Sequence, residues 1–235
     1  MKLKFNPNLD YQQDAIESTL AVFDGLSSAG EAYRERGIAN VLDLNPDTLL
    51  TNLHKVQEQR YIEKSASLFD CSDGKPDEYP FPNFSVEMET GTGKTYVYLR
   101  SIFELNKKLG LRKFIIVVPS VAIREGVLSS LAMMKEHFKG LYNNTPFDHY
   151  VYSSKNLSKV RDFATKNTIQ IMVINIQAFQ RDAGDVESYD ALSPEEIKKL
   201  SVIHREQDKM SGLKPIEFIQ EVRPMLIIDE PQSVD

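Results

Sequence analysis

The sequence carries a single cysteine, Cys71. No disulfide can form within the chain, and a reducing compartment is expected. It has no excess of positive charge: 28 Lys and Arg stand against 34 Asp and Glu, a net charge of -6. A domain that binds through a broad basic face is usually basic overall, so any nucleic-acid contact is expected to be local or to lie on parts outside this chain. His54, His137, His149 and His204 are far apart and show no metal-ligand spacing. "MKLKFNPNLD" at the N-terminus has no apolar core of signal-peptide length, and no run is long and apolar enough to span a membrane. Internal repeats and low-complexity tracts are absent too. The cytoplasm is the expected compartment, with no membrane partner.

What is present is ordinary globular composition, with 41% hydrophobic and 26% charged residues over 235 positions. Residues 10 to 26, "DYQQDAIESTLAVFDGL", set Ala15, Ile16, Leu20 and Phe23 at helical spacing. Residues 27–83 are rich in Ser, Gly, Asp, Asn and Pro, with one helix expected in "PDTLLTNLHKVQEQRYIEK" and a loop in "DCSDGKPDEYPFPN". This region reads as an insertion between an N-terminal segment, 1–26, and a core domain, 84–235. From residue 84 strands and helices alternate. "FSVEME" is expected as a strand and "KTYVYLRSIFELNKKLG" as a helix ended by Gly110. "KFIIVVP" reads as a strand buried on both faces and "VAIREGVLSSLAMMKEHF" as a helix. "DHYVYSS" and "IQIMVINI" read as further strands. "SPEEIKKLSVIHREQ" opens like a helix, with Ser193 as N-cap, Pro194 at N1 and Glu196 at N3. "PMLIID" reads as a last buried strand. The alternation predicts an α/β domain with a parallel sheet.

Two stretches carry chemistry. In "METGTGKT" the glycines Gly91 and Gly93 let the backbone turn its N–H groups toward an anion, and the helix from Lys94 adds its positive end. Lys94 can reach the β- and γ-phosphates of a nucleotide, and the Thr95 hydroxyl can ligate Mg²⁺. Met88 stands where the general phosphate-loop pattern has glycine. In "MLIIDEPQ", Asp229 ends an apolar strand and Glu230 follows. Ligands of parallel nucleotide-binding sheets sit beyond the strands' carboxyl ends. Asp229 is therefore expected on the Mg²⁺, and Glu230 on the attacking water.

"TGTGKT" with "DExx" resembles the superfamily 2 helicases and translocases. The resemblance implies a RecA-like P-loop three-layer α/β/α domain with a mainly parallel sheet, incomplete at the C-terminus. "DYQQDAI" is similar to that group's Q-motif, which implies that Gln12 reads the adenine edge, with Tyr11 packing nearby. An amide both donates and accepts, so ATP is implied rather than GTP. Thr90, Gly91, Thr92, Gly93, Lys94 and Thr95 complete the implied ATP site. Four stretches resemble more closely the restriction subunit of type III restriction-modification enzymes. They are "METGTGKTYVYLRSIFELNKK", "KFIIVVPSVAIREGV", "VINIQAF" and "RPMLIIDEPQ".

That resemblance implies an ATP hydrolase belonging to a type III site-specific deoxyribonuclease, working on double-stranded DNA beside a DNA-methyltransferase (modification) subunit that reads the sequence. It places Pro119, Ser120, Arg124, Asn175 and Gln177 on phosphates of the tracking strand, where contacts position rather than specify. For Ser120 the plain alternative is a helix N-cap, and for Arg124 a solvated helix charge. A second lobe with its arginine finger, worth on the order of 10³-fold or more, and a nuclease domain are expected elsewhere, so these residues alone are expected to turn over ATP very slowly. Two alternatives stay open: another superfamily 2 DNA motor, or a non-catalytic nucleotide-binding interaction module.

Overall fold

"KFIIVV" has no polar side chain after its lysine, and it sits where such a run belongs. In the computed structural model, β1 (Lys113–Val118) is buried along its whole length. The structure describes residues 5–26, 38–42, 45–68, 81–179, 193, 195 and 200–230. Cys71, most of the loop expected over 70–83, residues 194 and 196–199 of the helix expected from Ser193, and Pro231 and Gln232 lie outside the described residues.

The chain divides into two compact units. The first holds the described residues up to Gly110 apart from 38–41, and the second holds 38–41 and the described residues from Leu111 onward. In the first unit, α1 (Asp10–Ala21) packs against both α2 (Pro46–Gln59) and α3 (Lys94–Leu109). Asn45 caps α2, its side chain accepting from the N–H groups of Asp47 and Thr48, with Pro46 at N1. Buried Asn52 donates to the Val22 and Asp24 carbonyls at 3.2 and 2.8 Å, tying α2 to the end of α1. Gly110 closes α3 in the left-handed conformation, φ 73°, the stop that the sequence predicts.

The second unit is a parallel sheet flanked by helices, with strand order β2-β3-β1-β4. Its other strands are β2 (Phe147–Val151), β3 (Ile169–Asn175) and β4 (Met225–Ile228). On one face Ile115, Val117, Met172 and Ile174 pack with Val160 and Phe163 of α5 (Ser158–Thr165) and Ile219 of α6 (Pro215–Glu221). α4 (Val121–Leu141) packs on β1 and β3. Asn40 docks here from the region read as an insertion. Its side chain donates to the Lys113 carbonyl at 2.7 Å and accepts from the Arg112 and Lys113 N–H groups.

Three elements differ from expectation. Residues 84–89 form no strand. "FSVEME" alternates apolar and charged side chains, and such a pattern needs a paired neighbour to become a strand; instead Phe84 packs edge-on against Phe23, 5.9 Å between ring centres. Among the described residues β4 pairs with β1 alone, and where a strand buried throughout was expected Leu226 and Ile228 are about half exposed. In the segment expected as one helix from Ser193, residues 202–204 form a 3₁₀ turn that buries Ile203 and His204. Among the described residues no helix is long and apolar enough to cross a membrane.

Candidate functional site

The loop ahead of α3 needs backbone angles that only glycine adopts freely. Gly91 and Gly93 both take positive φ, 83° and 90°. Between them the Thr92 N–H and hydroxyl both donate to the Glu89 carbonyl, at 3.3 and 2.6 Å, which closes the turn. Gly93 is the N-cap of α3, and no side chain caps that end. Lys94 and Thr95 therefore open a helix whose N-terminal dipole is left for an anion. Thr90 and Gly91 are exposed and Thr92 to Thr95 half-buried.

Gln12 belongs to this loop. It is buried, and its Nε2 donates to the Thr92 carbonyl at 2.8 Å. A Cβ at Gly93 would stand 2.5 Å from that nitrogen, so a side chain there would displace Gln12 as well as strain the backbone. One N–H of the amide is thus spent on the loop. Tyr11 is half exposed.

In the second unit the remaining predicted residues gather at the carboxyl end of the parallel sheet. Val118 pairs with Asn175, and Val117 with Ile228. The Asp229 N–H continues that ladder to the Val117 carbonyl at 2.9 Å, so its side chain leaves from the strand end. Glu230 takes a left-handed φ of 57°; a non-glycine residue held there carries strain of the kind that collects at functional sites. Ser120 is the N-cap of α4, its hydroxyl accepting from the Ile123 N–H at 3.3 Å. Gln177 donates to the Pro119 carbonyl at 3.1 Å, and Arg124 Nη1 to Asn175 Oδ1 at 3.1 Å. Pro119 has no N–H to give, so the side-chain donors at this edge are Ser120, Arg124, Asn175 and Gln177. The sequence reading missed Glu125, which binds the Arg124 fork through Oε1. Adjacent residues do not share a helix face, so no spacing rule flags that pair.

The donor chemistry suits nucleotide and Mg²⁺. The Thr95 hydroxyl in the first unit and the Asp229 carboxylate in the second are each hard oxygen donors of the kind Mg²⁺ takes with water and phosphate. Among the described residues no group of three His, Cys, Asp or Glu could cage a metal unaided.

The family described as Type III restriction enzyme, res subunit, matches residues 6–231. The chain is 31% identical to the Type III restriction-modification enzyme EcoPI Res subunit of Escherichia phage P1, over 97% of the chain and 23% of that protein. It is 29% identical to the EcoP15I Res subunit of Escherichia coli, over 95% and 23%. To the StyLTI Res subunit of Salmonella typhimurium it is 35% identical, over 95% and 19%. The chain spans about a fifth of the length of these curated relatives.

Proposed function

Because the chain belongs to the family of type III restriction enzyme Res subunits, we propose that it is the ATP-binding lobe of a DNA-dependent ATPase and translocase. Its hydrolysis licenses DNA cleavage in company with a DNA-methyltransferase subunit. The observation that carries this is the loop of Gly91 and Gly93, both at positive φ, opening directly into the uncapped start of α3. Phosphate sites are built that way from backbone N–H groups and the helix dipole.

The residues then take separate roles. Lys94 offers its ammonium to β- and γ-phosphate oxygens, and the Thr95 hydroxyl and Asp229 carboxylate hold Mg²⁺. Glu230 orients the attacking water and accepts its proton. Gln12 reads the adenine edge with the half of its amide not bonded to Thr92. The metal, when bound, neutralises charge that develops on the phosphates. At the sheet end, Ser120 and Arg124 meet strand phosphates, while Pro119, Asn175 and Gln177 hold that edge in shape.

Calorimetric titration of the chain with ATP and Mg²⁺, beside a Lys94→Ala variant, tests the assignment. Weak binding is expected, falling about 10- to 100-fold in the variant, the value of a charged hydrogen bond to phosphate. Equal binding by the two proteins would remove the nucleotide from this loop.

A further inference from the structure

We propose that Glu125 is a resident competitor for the DNA phosphate at Arg124, so that it sets how tightly this edge grips a strand. The proposal rests on the interface reading given above and goes one residue beyond it. Arginine binds oxyanions through the edge formed by Nε and one Nη. Here that edge is taken: Arg124 Nε and Nη2 both donate to Glu125 Oε1, at 3.2 and 2.9 Å. The remaining nitrogen, Nη1, donates to Asn175 Oδ1 on the end of β3. The two partners are unequal. Asn175 is anchored by a strand, whereas the Glu125 side chain is 62% exposed against 25% for Arg124. An exposed ion pair of this kind is worth about 1 kcal/mol or less. Glu125 is thus the outer, exchangeable partner, and Asn175 the inner one that keeps the guanidinium in place. A phosphodiester must displace the carboxylate to use the fork. Only an oxyanion delivered at the right point of a bound strand repays that exchange, so free anions are disfavoured.

Four forms of the full chain test this: wild type, Glu125→Gln, Arg124→Ala and the double variant. Each is titrated by fluorescence anisotropy with one labelled oligonucleotide of mixed sequence, as single strand and as duplex, at low salt. Glu125→Gln keeps the shape and removes the charge. It should tighten binding about two- to five-fold, the yield of freeing one exposed pair. Arg124→Ala should weaken binding, and Glu125→Gln should then add nothing. If Arg124→Ala weakens binding but Glu125→Gln leaves it unchanged, the competitor role is overturned and the interface stands. Equal tightening by Glu125→Gln with and without Arg124 overturns it also, because the effect is then long-range charge. Wild-type affinity in Arg124→Ala, or no binding by any form, overturns the interface reading and the proposal with it.

Discussion

Lys113 is the residue least readable from composition. It opens β1 fully buried, with its ammonium donating to the Phe163 carbonyl at 2.6 Å and to the Lys166 carbonyl, 5.7 Å from the centre of the Phe163 ring. Burial, aided by the neighbouring Arg112 charge, lowers its pKa to about 8 from 10.5. The folded state therefore holds fewer protons than the unfolded state between those values. Stability should rise with pH across that window, by at most about 1.4 kcal/mol per pH unit. Urea denaturation of wild type and Lys113→Met, from about pH 8 to about pH 10, checks this. The rise should be present in the wild type and flattened in the variant. A parallel pH profile in both would mean that Lys113 does not carry it.

At the level of elements, α4 depends on a residue with two claims upon it. Ser120 caps the helix through the Ile123 N–H and also stands at the proposed DNA edge. Ser120→Ala should cost about 0.5–1 kcal/mol of stability through the lost cap. Ser120→Asp should keep the cap yet weaken DNA binding more than alanine does, because it sets a carboxylate before a phosphate. Thermal unfolding and DNA titration of the two variants separate the claims. Unchanged stability in Ser120→Ala would leave only the contact. Elements of this kind were legible where local chemistry is strong. The apolar runs of β1 and β3 and the Gly110 stop stand as read, the Ser120 cap is the plain alternative offered for that residue, and Gly91 and Gly93 take the positive φ that a glycine-rich turn needs. β4 is less buried among the described residues than its apolar run suggests, because such a run does not say how many neighbours cover it. α5 and α6 are too short for helical periodicity to build up, although Glu217 accepts from the Lys214 N–H and Pro215 follows in its favoured place. Asn40, Lys113 and Glu125 act through partners that are distant in sequence or adjacent on it, and neither spacing leaves a pattern. At the proposed site the sequence supplies the candidates, but not the bonds that couple them, Gln12 to Thr92 and Arg124 to Asn175.

For the whole molecule, the net charge of -6 limits how DNA can be held. A protein that lays a broad basic face on DNA neutralises many phosphates, and its affinity then collapses as salt rises. Among the five residues of the proposed edge only Arg124 is a cation; Ser120, Asn175 and Gln177 are neutral, and Pro119 has no donor on its backbone. Hydrogen bonds from neutral groups release no counterions. The logarithm of this chain's DNA affinity should therefore fall with the logarithm of salt at a slope near about -1, with Arg124→Ala removing most of it. A titration series over several salt concentrations measures the slope. A value steeper than about -4 would require several more cations on the DNA. The exposed Lys107 and Lys108 would then be the next charges to neutralise, and the five-residue edge would position a strand that other charges hold.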